Sequence, residues 1–155
     1  MTQQEFLKKI TDVFKSYGFQ KKGNNFYRDF GNDILGVIGL QKSNYGPDYY
    51  VEYGYAFLSI NAHAPFPKYY QMNLSLGRMM FDLNKKPSRT VSFEDLTDAG
   101  LLLTMERTLP LFCNAGKMGK DEIVRSYPMS QIAYFRGKST PDYLGLKGDN
   151  FKILP

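Results

Sequence analysis

The sequence predicts an α+β fold: an antiparallel sheet of about 4–6 strands in a meander, with an N-terminal helix and a later proline-kinked helix packed on one face. Three observations predict it. A capped amphipathic pattern opens the chain. Alternating segments then follow one another at hairpin spacing, separated by glycine and asparagine turns. A leucine-rich stretch with helical spacing comes after residue 92. Strands joined by short connections pair antiparallel, because parallel neighbours need a long crossover.

Thr2 and Glu5 have the spacing of a capping box, in which each side chain satisfies the other residue's backbone N–H. Phe6, Ile10, Val13, Phe14 and Tyr17 recur on one helical face, and Gly18 is placed to end the helix in a left-handed conformation. Phe26 to Phe30 alternates as a strand, and Gly31-Asn32 marks a tight turn. Residues 34–40 are apolar throughout except for Gly36 and Gly39, as expected of a strand covered on both faces. Residues 49–60 alternate strictly: Tyr49, Val51, Tyr53, Tyr55 and Phe57 share one face, and Tyr50, Glu52, Gly54 and Ala56 the other. Segments 69–76 and 78–83 read as weaker strands. Ser92 with Asp95 resembles a second helix start. Pro110 should kink or divide that helix and Gly116 should end it. A short helix over 120–127 and a closing strand over 151–154 complete the pattern.

A chain of 155 residues is one domain's worth, so residues 1–155 are read as a single α+β domain. The 12 Phe and 12 Tyr are the compositional anomaly. Each buried ring removes about 150–250 Å² from water, so rings should dominate the core. Cys113 is the only cysteine, which excludes an internal disulfide and fits a reducing compartment. No segment approaches the ~20 apolar residues of a membrane span, and the first ten residues lack an apolar signal core. A cytoplasmic location and no membrane partner are the expectation. The net charge of +5 is dispersed, as in an ordinary solubilising surface.

No reactive constellation stands out. His63 has no ligand or orienting acid at useful spacing, and Cys113 lies in an apolar helical run where a thiol behaves as a small hydrophobe. One histidine and one cysteine cannot build a zinc site. Neither GNDILG nor GKMGK has phosphate-loop spacing. Asp29, Asp33, Asp48 and Glu52 are close in sequence and are the sole basis for a carboxylate-based enzyme. No catalytic, cofactor-binding or metal residue is assigned.

Residues 18–44 are similar to a bacterial family known only as a domain of unknown function, family 4304. The residues that carry the resemblance are Gly18-Phe19, Lys21-Lys22-Gly23, Phe26-Tyr27-Arg28 and Leu40-Gln41-Lys42-Ser43-Asn44. The aromatic strand that follows and the leucine-rich helix over 101–112 also fit, extending the resemblance to about two thirds of the chain. It implies the α+β fold and hands down no activity.

The favoured functional reading is a small non-catalytic accessory protein, of immunity type as one example, that binds a protein partner or its own copy. The candidate surface is a sheet face with Tyr45, Tyr49, Tyr53 and Tyr55, rimmed by Lys21, Lys22, Arg28 and Lys42. Nucleic-acid binding on the same aromatic and basic face is the alternative, and a carboxylate enzyme the third.

Overall fold

A computed structural model describes residues 1–84, 86–129, 134–148 and 151–154. The chain opens with α1 (Gln3–Ser16). The Thr2 hydroxyl accepts the Glu5 N–H and the Glu5 carboxylate accepts the Thr2 N–H, both at 3.1 Å, so the expected capping box is present. Gly18 takes a φ of 85° past the helix end. The Phe19 N–H then returns to the Phe14 carbonyl, and the Gly18 N–H to that of Lys15.

Four strands follow: β1 (Gln20–Lys22), β2 (Asn25–Gly31), β3 (Ile34–Lys42) and β4 (Tyr49–Phe57). A 3₁₀ turn at Tyr69–Gln71 precedes β5 (Leu74–Arg78). Short strands β6 (Phe81–Leu83) and β7 (Lys86–Ser88) form a separate hairpin. Helices α2 (Asp98–Met118) and α3 (Lys120–Ser126), strand β8 (Tyr134–Arg136), helix α4 (Ser139–Tyr143) and strand β9 (Ile153–Leu154) complete the chain.

The main sheet has seven strands in the order β1-β2-β3-β4-β5-β8-β9. Its pairings are antiparallel except the last, β8 with β9. The α+β class and the meander over β1 to β5 therefore hold, with more strands than the sequence suggested. The hairpin between β2 and β3 turns at Asn32 and Asp33, both at positive φ.

Helices cover one face of the sheet, and a strap of chain covers part of the other. On one face lie Phe26, Ile34, Ile38, Val51, Tyr55 and Phe57, which meet Phe6, Ile10 and Phe14 of α1 and Leu109, Phe112 and Cys113 of α2 in one continuous core. On the other, Tyr27, Leu35, Val37 and Ala56 form a smaller cluster with Met72 of the strap of chain 58–73 that crosses them. Asn25 holds the strap by accepting the Tyr69 N–H at 2.9 Å, and the Tyr27 and Phe66 rings meet at 5.3 Å. Gly39 lets the strap lie this close: a Cβ there would come within 2.2 Å of the Tyr69 Cβ.

Several boundaries differ from expectation. Residues 92–95 make one turn, closed by the Asp95 and Leu96 N–H groups on the Ser92 carbonyl. The helix begins only at Asp98, where the Thr97 hydroxyl accepts the Gly100 N–H at 3.0 Å. The Asp95 carboxylate is instead taken by Asn84. Pro110 does not divide α2; it stands on the exposed side, where water can satisfy the carbonyl that its missing N–H leaves free. Gly116 lies inside the helix because it packs on Phe30, whose ring is 2.4 Å from where a Cβ would be. Gly119, at φ 114°, follows the last helical residue. The stretch 69–76 splits into a 3₁₀ turn and a strand, since its first half belongs to the strap.

Asp33 ties the later chain to the sheet. Its carboxylate accepts the Ser59 N–H at 2.7 Å and the Tyr143 hydroxyl at 2.8 Å. Burial pushes its pKa up, but the hydrogen bonds from Ser59 and Tyr143 outweigh that and hold it below the usual carboxylate value. Such a group stabilises the fold above its unfolded pKa and loses that contribution as pH falls through the folded value. Asp33→Asn is therefore expected to be less stable than the wild type at neutral pH, with the gap closing in acid. Denaturant titrations at several pH values check this; a gap independent of pH would refute it.

Candidate functional site

The tyrosine face expected at the surface is the core face. Cα partners across an antiparallel ladder lie on the same side, so Tyr55 opposite Gly36, Tyr53 opposite Ile38 and Val51 opposite Leu40 all point toward the helices. Tyr55 is fully buried and its hydroxyl donates to the Phe112 carbonyl at 2.6 Å. Tyr53 lies edge-on to Phe112 with ring centroids 5.3 Å apart. Tyr49 is buried against Phe6 and Phe93, and its hydroxyl accepts the Gln3 amide at 2.9 Å. Burial pushes the Tyr53 and Tyr55 hydroxyls up in pKa. Tyr49 and Tyr55 are interior residues and Tyr53 is half-buried on the same face, which corrects their placement on an open surface.

Arg28 also points inward. Its Nη1 donates to the Tyr17 carbonyl at 2.5 Å, locking the end of α1 to β2. Cys113 lies beside it; burial pushes the thiol pKa up against the opposing pull of Arg28 and Lys117. Burial and a raised pKa are the reverse of what a nucleophilic thiol needs. Tyr45 projects from the loop between β3 and β4, 97% exposed. Lys21 and Lys22 are both exposed but belong to opposite faces of β1, since Lys21 pairs with Phe26 and Lys22 with Asn25.

Lys22 and Lys42 do come together. With Lys68, Tyr69 and Tyr70 they line a groove of about 410 Å³ beside the strap, which Lys42 reaches from the end of β3, opposite Tyr49. Lys22 Nζ sits 3.6 Å from the centroid of the Phe66 ring. Tyr69 joins this groove to the uncovered end of the same face: burial raises its pKa first, then Glu52 and Tyr70 add to the shift while Arg78 and Arg136 oppose it.

Beyond the strap, β4, β5 and β8 border an opening. A cavity of about 570 Å³ is lined there by Glu52, Ser75, Arg78, Arg89, Tyr134 and Arg136, among others. Glu52 pairs with Arg78 at 3.7 Å. The Arg78 guanidinium also lies on the Tyr50 ring, 3.7 Å from its centroid. A register shift between Glu52 and Gly54 brings Arg78 opposite Glu52.

Of the four acids considered for catalysis, only Glu52 lies in this cavity, where it pairs with Arg78. Asp29 accepts the Gly31 N–H at 2.8 Å and Asp33 binds Ser59 and Tyr143. The backbone carbonyl of Asp48 accepts the Ser43 N–H. His63 is exposed on the strap, its N–H on the Asn61 side chain. Among the described residues no group of three or more His, Cys, Asp or Glu side chains is placed to hold a metal ion. No helix there is long and apolar enough to cross a membrane.

The residues that sequence reasoning missed are Lys68, Tyr69, Tyr70, Arg78, Arg89, Tyr134 and Arg136. One local signal pointed to the side on which they gather. Glu52 and Tyr50 share a parity on β4, and a charged residue in a half-buried strand marks the side that reaches water.

The fold and face together define an α+β protein with helices on one side of its sheet and a basic, aromatic opening on the other. The chain belongs to the family described as Domain of unknown function (DUF4304), whose model matches residues 10–98, more than half of the sequence. The match runs from α1 to the start of α2, so it contains the strap and β1 to β7 but not the leucine-rich helix. No curated protein and no solved structure matches the chain.

Proposed function

We propose that this is a cytoplasmic, non-catalytic binding protein whose open sheet face takes an acidic segment of a protein partner. The observation that carries the reading is the gathering of six cationic side chains around one groove and the cavity beside it. Lys22, Lys42 and Lys68 line one groove, and Arg78, Arg89 and Arg136 line the neighbouring cavity together with Glu52. Tyr50, Tyr69, Tyr70 and Tyr134 supply contact area among these charges. Tyrosine and arginine are the residues that dominate protein interfaces, and a field of one sign steers an oppositely charged partner.

The same composition suits nucleic acid, but the rings favour protein. One face of Tyr50 is occupied by Arg78 at 3.7 Å, and Lys152 lies 4.9 Å from the centroid of Tyr134. Rings already covered by cations are poor platforms for stacking bases. The single cysteine, buried, fits a reducing compartment.

A photo-crosslinking residue at Tyr50, with a control at Lys8 on the opposite side, tests the reading in cells. A discrete protein adduct from Tyr50 is expected, its crosslinked peptide rich in Asp and Glu. Reversing Lys22, Lys42 and Lys68 to glutamate should reduce it at least tenfold. Adducts to RNA or DNA would transfer the face to nucleic acid, and yields equal to the Lys8 control would refute both readings.

A further inference from the structure

We propose that Arg136 and Arg89 seat a single oxyanion group, a carboxylate or a phosphate, in the cavity beside β5 and β8. The cavity holds three guanidinium groups against one carboxylate. That carboxylate, Glu52, is engaged by Arg78 at 3.7 Å. Arg89 and Arg136 have no ion-pair partner among the described residues. Arg136 goes further: its Nη1 is buried and makes no hydrogen bond with any described residue.

A buried donor without a protein acceptor is unusual, because folds normally supply one to each polar group they enclose. Here the donor belongs to a guanidinium that stays charged at any pH a protein tolerates. Burial lowers its pKa, and the nearby Glu52 and Tyr69 only partly offset this. A group suited to this donor is both an acceptor and negatively charged. A carboxylate or phosphate supplies the two together, with two oxygens matched to the planar fork of an arginine. Ser75 and Tyr134, whose Cα atoms are paired across β5 and β8, add hydroxyls to the lining. A water molecule would satisfy the hydrogen bond and leave the charge uncompensated.

The site rests on the reading of this face as a binding surface and names its anchor: one acidic group of the partner enters the cavity while the lysine groove takes the rest. Its ligand class can be tested without any partner. Arginine Nε–H resonances of the isotopically labelled protein are followed during titration with inorganic phosphate and, separately, with acetate. Sodium chloride at matched ionic strength is the control. The Arg136 signal, assigned through its loss in Arg136→Gln, should shift and saturate with one or both oxyanions and stay put with chloride. Preference for phosphate over acetate would identify a phosphorylated group, and the reverse an acidic side chain. Arg89→Gln, on the exposed rim, should weaken the apparent affinity three- to tenfold. Arg136→Lys, which keeps the charge and loses the fork, should weaken it at least tenfold.

Shifts that grow linearly with each salt alike would overturn the site. So would affinity unchanged in Arg89→Gln and Arg136→Lys. The two readings fail separately. Saturable oxyanion binding without a Tyr50 protein adduct would remove the partner and leave the site. An acidic adduct indifferent to Arg136→Lys, with no saturable titration, would remove the site and leave the partner.

Discussion

Phe112→Ala is expected to lower stability by about 4 kcal/mol, the usual range for deleting a fully buried ring being roughly 3–5 kcal/mol. Phe112 is inaccessible to solvent and is the hub where α2 meets the sheet. Its centroid lies 4.6 Å from that of Tyr55, 5.3 Å from Tyr53, and 6.2 Å from both Phe19 and Phe30. The alanine would leave four rings facing a void. They come from separate elements, the turn after α1 and strands β2 and β4, and cannot collapse onto it together. Domains of this size have only about 5–15 kcal/mol of net stability, so the loss is a large part of the whole. Urea unfolding followed by tyrosine fluorescence should show the midpoint falling with the slope unchanged. A loss under about 1.5 kcal/mol would mean that the core repacks freely around position 112.

Gly54→Ala is expected to cost about 3 kcal/mol, at the upper end of the range for overfilling a packed site. A Cβ on residue 54 would lie 2.0 Å from the Leu74 carbonyl oxygen and 3.0 Å from the Ser75 Cα, both main-chain atoms of the neighbouring strand. Neither can rotate away, so the β4–β5 pairing must open. Gly54 adjoins the register shift that places Arg78 opposite Glu52. The substitution should therefore also disturb the cavity wall and loosen the Glu52–Arg78 pair. Gly46→Ala is the internal control: its Cβ would meet nothing closer than 4.0 Å, and the change should stay within about 0.5 kcal/mol. Equal stability of the two variants would contradict the close strand approach at Gly54.

The local motifs were legible wherever neighbours in sequence are neighbours in space. The Thr2–Glu5 capping box, the Gly18 stop and the pairing of β2 with β3 each involve residues a few positions apart. Gly116 shows where that logic ends. A glycine after a helical run reads as a terminator, yet this one is kept small by Phe30, 86 positions earlier, and the helix continues to Met118. Ser92 and Asp95 show it again. Their spacing matched a helix start, but Asn84 takes the carboxylate and Thr97 caps the helix.

The face error on β4 has a similar origin. Both parities carry tyrosine, so alternation separates the two sets without saying which faces inward. Phe112 of α2 settles the matter by covering Tyr53 and Tyr55, while the strap covers Ala56. Lys22 and Lys42 were identifiable as basic edge residues from the sequence. Their grouping with Lys68 requires the strap to cross the sheet, and the meeting of Arg78 with Arg136 requires β8 to return beside β5.

From its amino-acid order alone, this chain specifies its class, the capped first helix, the run of hairpin strands and a core built on rings. These follow from backbone propensity and from periods of two and 3.6 residues, which act within a few positions. Which rings are enclosed, and which cations meet on the uncovered side, follow from strand order and from the path of the strap. Those arise through contacts between residues tens of positions apart, and no local period encodes them.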